Sequence, residues 1–170
     1  AEAIYAERVR ELVGNDRKAR IAKVYLDFAG DYFAPKDSLI KPDYGKARTF
    51  YERALELEPG GALRDDILYR RALCNQKLAQ WNDAAGQYEQ YLLEFDEGFR
   101  GLRKMRDVGA ALPAAASAPG THALQAQLGL AECRLAAGQT IAARRVVQDL
   151  IGGIEGSRGQ GIKGSGDQRK

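Results

Sequence analysis

Two stretches of this sequence align with each other without a gap. Residues 72–88, ALCNQKLAQWNDAAGQY, align with residues 131–147, AECRLAAGQTIAARRVV, and an earlier segment from residue 44 joins the same alignment. Recurrence at a fixed internal geometry predicts a stacked repeat, in which each unit buries its apolar face against its neighbours. The matched positions are Ala72 with Ala131, Cys74 with Cys133, Ala47 with Ala84 and Ala143, Tyr51 with Tyr88 and Val147, and Leu55 with Leu92 and Ile151.

Each unit has the periodicity of a helical hairpin. In residues 17–34 apolar side chains fall at i, i+4, i+7, i+8 and i+11, which is one face of an α-helix. Pro35, Pro42 and the Pro59-Gly-Gly sequence interrupt the helical pattern, and no segment alternates strictly as a half-buried strand does. The sequence therefore predicts an all-α fold of stacked antiparallel hairpins with long insertions. The boundaries are hairpins at about 17–59, 62–95 and 121–151 within one domain of residues 1–151.

Three segments lie outside the repeat pattern. Amphipathic residues 3–13 are either the second helix of an earlier repeat or an N-terminal cap. Residues 97–120 are an insertion that ends in an Ala-, Pro- and Gly-rich linker. Residues 152–170 form a Gly-rich basic tail, for which a flexible linker is the default interpretation. The tail lacks the contiguous Gly-Lys-Ser/Thr and the preceding strand of a phosphate-binding loop.

Composition and charge exclude several classes of protein. The chain has 170 residues, 45% of them hydrophobic and 29% charged, as in a globular domain with a real core. No run approaches the roughly 20 apolar residues of a membrane span. The net charge is +3, of which residues 152–170 supply +2, so the body is nearly neutral. A near-neutral body argues against a protein that follows nucleic-acid phosphates along a groove.

The cysteine, histidine and paired acidic residues, which often act in catalysis or metal binding, are expected to have structural roles here. Cys74 and Cys133 occupy equivalent small, buried places, and neither has a partner at metal-ligand spacing, so no cofactor or metal is expected. Thr121 is expected to cap a helix, which leaves His122 as a solvated first-turn residue. Acidic pairs such as Asp65–Asp66 are expected in the first turn of a helix, where the helix dipole favours them.

The first hairpin resembles the tetratricopeptide repeat (TPR). Tyr25-x2-Phe28-Ala29-x2-Tyr32 is similar to the first-helix pattern of that family, and Ala47-x3-Tyr51-x2-Ala54-x4-Pro59 is similar to its second-helix pattern. The resemblance covers about residues 20–151 and is weaker in the second hairpin, where Arg71 and Asn75 stand at apolar places. It implies a TPR-like α-solenoid of about three divergent repeats.

The resemblance also implies a function and a surface. In the family, first helices line a concave groove that holds a partner peptide. The corresponding positions here are Lys23, Leu26, Asp27, Gly30, Phe33, Asp66, Tyr69, Arg70, Leu73, Gln76, Lys77, Gln125, Leu128, Glu132 and Leu135. Within this set we assign partner binding to Leu26, Phe33, Tyr69, Arg70, Leu73, Gln76, Lys77, Leu128 and Glu132.

A second candidate surface is basic. Arg100, Arg103, Lys104 and Arg106 lie in the insertion and would follow one side of a short helix, with Phe99, Leu102 and Met105 on another side. This segment is either a helical spur docked by its apolar side or a site for an acidic partner.

The expected function is that of a non-enzymatic scaffold that binds a partner peptide or helix, because no nucleophile has an activating base beside it. One alternative is a structural subunit or fragment of a larger assembly, such as one in the cell envelope. Another is a binder of an acidic partner through the basic insertion. The expected partner is a protein or peptide. A small-molecule substrate and a nucleic-acid partner are not expected, and the chain is not expected to be an integral membrane protein. The chain begins without Met, which leaves location open and favours bacterial periplasm or cell envelope over cytoplasm.

Overall fold

The described part of the chain consists of helices joined by turns and loops. The computed structural model describes the backbone of residues 2–57, 61–106 and 120–160, and the side chains of residues 14, 17–57, 63–105 and 120–152. These residues contain seven α-helices and no strand, so the all-α expectation is confirmed for them. The helices are α1 (Glu2–Phe33), α2 (Tyr44–Glu56), α3 (Gly61–Lys77), α4 (Trp81–Phe95), α5 (Glu97–Arg106), α6 (Ala123–Ala136) and α7 (Thr140–Gln160).

Helix boundaries agree with the breaks in the sequence at most places. The α1 helix ends at Phe33, two residues before Pro35, and α2 begins after Asp43, whose carboxylate accepts a hydrogen bond from the Lys46 N–H at 2.9 Å. At the two ends of the chain the helices run further than expected. Because α1 is continuous from Glu2, residues 3–13 are not the second helix of an earlier hairpin. The α7 helix continues to Gln160, past the predicted boundary at residue 151.

Helices pack mainly on their neighbours in sequence. Each of α1, α2 and α3 packs on the helix that follows it, α6 packs on α7, and α4 packs directly on α6. Among these strong pairings α5 packs on α4 alone. Gly120, where the described chain resumes, donates its N–H to the Phe95 carbonyl at the end of α4, at 3.0 Å. The second helix of one hairpin therefore packs on the first helix of the next, α2 on α3 and α4 on α6.

Burial follows the internal alignment. The small residues at the matched positions are buried, with exposed fractions of 0% at Ala47, Ala84 and Ala72 and 6% at Ala143. Small residues let two helices approach closely, so these positions set the spacing inside and between hairpins. Two apolar clusters result, one around Tyr51 that joins α1, α2 and α3, and one around Tyr88, Tyr91 and Leu92 of α4 that extends to α6 and α7.

The turns of the second and third hairpins have the same hydrogen bonds. Ala79 and Gly138, which the alignment pairs, both have a left-handed backbone, with φ of 58° and 78°. In each turn the N–H of this residue bonds to the carbonyl three residues earlier, at 3.0 Å in both. The next N–H, of Gln80 or Gln139, bonds to the carbonyl five residues earlier, at 2.9 and 2.8 Å. These pairs form a Schellman motif that ends α3 and α6 in the same way.

Exchanging the two turn residues is expected to change stability in opposite directions. An L side chain costs about 1 kcal/mol in the left-handed region, a cost that glycine does not have. Ala79→Gly should therefore raise the free energy of unfolding by up to about 1 kcal/mol, and Gly138→Ala should lower it by a similar amount. Urea unfolding followed by circular dichroism measures both. Equal signs for the two changes would contradict a shared turn conformation.

Candidate functional site

A pocket opens between α1 and α3, with α2 at its base. Its volume is about 600 Å³. From α1 it is lined by Leu26 and Asp27 and, one turn later, by Gly30 and Asp31, because residues four apart lie on the same face of a helix. The full lining is Leu26, Asp27, Gly30, Asp31, Lys36, Tyr51, Asp66 and Arg70.

The opposite wall and the base of the pocket are held by hydrogen bonds. On α3 the Arg70 Nε lies 2.8 Å from both carboxylate oxygens of Asp66, one turn earlier. Tyr51 projects from α2 and is 1% exposed, and burial raises the pKa of its hydroxyl to about 12. Its hydroxyl is therefore neutral at physiological pH and serves as a hydrogen-bonding group at the base of the pocket.

The remaining charges of the pocket lie at its opening. Asp27 and Asp31 are exposed on α1, and Lys36 belongs to the loop that follows α1. Three carboxylates therefore face two cations, and Asp66 already pairs with Arg70. The opening is acidic on the α1 side, next to the apolar side chain of Leu26. This arrangement suits a ligand that places a cationic group beside a small apolar one.

The space between α3 and α6 is closed by direct contacts. The Tyr69 ring stacks on the His122 ring with centroids 4.3 Å apart, and Gln76 Nε2 donates to Glu132 at 2.8 Å. Gln76 Oε1 also accepts a hydrogen bond from the Tyr88 hydroxyl at 2.7 Å. The predicted groove is therefore open at the first hairpin junction and filled by side chains at the second.

The structure corrects the expectation for Thr121 and His122. The N-cap of α6 is His122, which makes no side-chain capping bond, and its ring is half-buried against Tyr69. His122 Nε2 also lies 3.3 Å from an Asp66 oxygen. The Thr121 hydroxyl donates instead to Asp65 at 2.6 Å. A carboxylate 56 positions earlier in the chain competes for these groups, and the local sequence does not contain that information.

Asp65 joins three helices. Its side chain is 5% exposed, accepts from the Tyr91 hydroxyl at 2.6 Å, and accepts from the Thr121 N–H and hydroxyl at 2.9 and 2.6 Å. Burial would raise the pKa of this carboxyl, but the hydrogen bonds from Thr121 and Tyr91 outweigh it, so the pKa lies below its usual value. Because α3 begins at Gly61, neither Asp65 nor Asp66 is in its first turn, and the helix-dipole explanation for this pair is wrong.

The assigned binding residues fall into different surroundings. Leu26 and Arg70 line the pocket, whereas the Phe33 ring packs against Tyr44 with centroids 5.4 Å apart. Tyr69, Gln76 and Glu132 make the contacts between α3 and α6. The others are Leu73, which is half-buried, Lys77, which is exposed, and Leu128, which is 46% exposed on α6.

Three pocket residues were outside the predicted set. Asp31 lies one turn after Asp27 on the same helical face, a spacing that could have identified it. Lys36 and Tyr51 come from a loop and from a second helix, and their place in the pocket depends on tertiary packing.

The basic residues of α5 are partly engaged within the chain. Arg100 donates to the Leu93 carbonyl at 2.9 Å, and Arg103 lies 2.8 Å from Glu89 of α4. Lys104 is exposed, and the side chain of Arg106 is outside the described residues. Of the predicted apolar side of the helix, Phe99 packs on the core of α4, whereas Met105 is 79% exposed. Residues spaced by three drift around a helix, so Met105 no longer faces α4.

The two thiols are buried and free. Burial raises the pKa of Cys74 to about 12 and that of Cys133 to about 11, which keeps both protonated and poorly nucleophilic near neutral pH. Among the described residues, no group of three or more histidine, cysteine, aspartate or glutamate side chains could hold a metal ion.

Comparison with known proteins gives no relative. No protein-family model matches the chain, and no curated protein or solved structure matches it significantly. Within the described ranges, none of the helices has both the length and the apolar character that crossing a bilayer requires.

Proposed function

We propose that this chain is a non-enzymatic interaction module of the TPR type, whose pocket between α1 and α3 binds a segment of a partner protein. The observation that carries the proposal is the composition of the pocket. Five of its residues, Leu26, Asp27, Gly30, Asp66 and Arg70, belong to the set that the resemblance to the TPR family assigns to a concave groove.

The shape of the stack supports this proposal. The first helix of each later hairpin packs on the second helix of the hairpin before it, α3 on α2 and α6 on α4, which is the packing order expected of a repeat array. In such an array, a gap between two neighbouring first helices is a groove with a helix on each side. Because the junction between α3 and α6 is filled, the partner segment is short or enters the groove from the α1 side.

Electrostatics suggest what kind of segment binds. Asp27 and Asp31 at the opening favour a lysine or arginine side chain, and Leu26 with the bare backbone of Gly30 leaves room for an apolar neighbour. The partner segment is therefore expected to be basic and amphipathic. Burial of both thiols and the stacking of His122 on Tyr69 support a binding role over catalysis, since neither provides an accessible activated nucleophile.

A side chain that fills the pocket should weaken peptide binding without lowering the stability of the fold. A Cβ atom at Gly30 would meet no atom within 4 Å, and the helical position favours leucine over glycine by nearly 1 kcal/mol. Peptides selected from a displayed random 12-residue library against wild-type protein are titrated by fluorescence anisotropy. We expect Gly30→Leu to weaken binding at least about tenfold while the melting temperature stays equal or rises. Gly86→Leu, in equally open space on α4, is the matched control.

Charge reversal at the opening tests the preference for a basic segment. Asp27→Lys should weaken the selected peptides at least about tenfold, whereas Glu56→Lys, the same charge change on α2 outside the pocket, should not. Peptides that bind equally to wild type and to both pocket variants would show that another surface is the binding site.

A further inference from the structure

The two internal junctions of the stack are built in the same way. In each, the first helix of one hairpin packs on the second helix of the preceding hairpin: α3 on α2, and α6 on α4. Tyr51 of α2 shares a buried cluster with Ile67 and Cys74 of α3. Its counterpart Tyr88 of α4 lies against Gly129 of α6. Residues that are buried at these two junctions have equivalents, by the internal alignment, on the first and last described hairpins.

On α7 the corresponding residues are uncovered. Tyr88 and Leu92 of α4 are 1% and 0% exposed because α6 covers them. The equivalent residues of α7 are Val147 and Ile151, which are 41% and 51% exposed. Among the strong pairings of the described helices, α7 packs on α6 alone.

The uncovered surface continues onto α6. Tyr69 and Gln76 of α3 contact the beginning and the middle of α6. Their equivalents on α6 are Leu128 and Leu135, which are apolar and 46% and 61% exposed. We define the C-terminal face as Leu128, Leu135, Val147 and Ile151.

At the other end of the stack, α1 has an uncovered face of its own. Val24 corresponds to Ile67 of α3, and Phe28 corresponds to Leu130 of α6, both of which are 0% exposed at internal junctions. Val24 and Phe28 are 50% and 49% exposed. With Ile21, which is 37% exposed one turn earlier, they form the N-terminal face.

Charges beside the two faces are complementary. At the first internal junction Arg48 of α2 reaches across to α3 and donates to Asn75 at 2.8 Å, one residue from Cys74. The alignment places Arg144 of α7 at the position of Arg48, and Asp31 of α1 at the position of Cys74. Both are exposed. A junction between α7 and another α1 would therefore bring an arginine towards an aspartate.

We propose that this chain associates head to tail with a second copy of itself, the N-terminal face of one copy packing on the C-terminal face of the next. The junction repeats the geometry of α6 on α4, with Arg144 paired to Asp31 of the next copy. Such a contact joins different surfaces, so each copy keeps a free face after pairing and the assembly can grow by further copies as concentration rises. The proposal does not depend on peptide binding, and each can fail without the other.

Sedimentation equilibrium from about 1 to about 500 µM tests the association. We expect the mean mass of the wild-type protein to rise with concentration. Val24→Glu and Val147→Glu should each raise the dissociation constant at least about tenfold, because each places a charge in an apolar junction. An equimolar mixture of the two variants should form a one-to-one pair, since each supplies one intact face. Helical circular dichroism confirms that both variants fold.

Controls separate this junction from other contacts. Leu39→Glu, at a residue that is 89% exposed in the loop after α1, should leave association unchanged. Arg144→Asp and Asp31→Arg should weaken self-association separately and pair when mixed. A wild-type protein that stays monomeric over the whole range, as it would if a helix of another protein covered these faces, overturns the proposal. So does a mixture of Val24→Glu and Val147→Glu that fails to pair.

Discussion

Replacing Asp65 by alanine is expected to lower the free energy of unfolding by about 3 kcal/mol, because several strong hydrogen bonds are lost at once. The carboxylate accepts from the Tyr91 hydroxyl and from two groups of Thr121, all between 2.6 and 2.9 Å. Alanine leaves these buried donors without an acceptor, and an unsatisfied buried polar group costs about 1–3 kcal/mol. Chemical denaturation at neutral pH measures the loss.

The same carboxylate should make stability depend on acid. Its pKa is lower in the folded protein than the ordinary aspartate value of 3.8. Its contribution to the free energy of unfolding is therefore complete above about pH 4 and is lost as the pH falls through the folded pKa. Between pH 5 and pH 2, wild type should lose more stability than a protein in which residue 65 does not titrate.

Asp65→Asn is the matched variant for both measurements. It keeps the shape of the side chain, but its NH2 group donates where the second carboxylate oxygen accepts, so it cannot satisfy Tyr91 and Thr121 together. It should be destabilised less than Asp65→Ala and should show a flatter acid dependence than wild type. An alanine variant as stable as wild type would mean that Asp65 does not hold the start of α6 on α3.

Gly129→Ala is expected to destabilise the protein by about 2 kcal/mol, although alanine is the better helix former. A Cβ atom at this position would lie 2.7 and 2.8 Å from two ring carbons of Tyr88. That ring is 1% exposed and belongs to the core of α4, so it has little room to move. The close approach of α6 to α4 therefore requires glycine at this position.

Gly86→Ala provides the opposite result on a neighbouring helix. A Cβ there meets no atom within 4 Å, so the change should stabilise the protein by about 0.5–1 kcal/mol through helix propensity. A second variant, Gly129→Ala with Tyr88→Leu, should recover part of the loss by removing the ring that clashes. If Gly129→Ala were as stabilising as Gly86→Ala, the helices would be further apart than the structure places them.

Most of the helices could be predicted from local patterns. Pro35, Asp43 and the turn at Gly138 mark where helices end and begin, because each acts through its own backbone or side chain. The pocket was predictable in part, since Leu26, Asp27 and Gly30 share one helical face. Tyr51 and Lys36 were not, because they reach the pocket from other elements.

For the residues that the structure describes, the sequence by itself determined an all-α fold with recurring small residues at Ala47, Ala84 and Ala143, since helix periodicity and close helix contacts are encoded locally. Tertiary structure alone decided which junction is open. Asp65 binds Thr121 from 56 positions away, and Tyr69 stacks on His122, so the second junction closes while the first keeps a pocket. Such pairings depend on distances between helices, and those distances come from the packing of the whole stack.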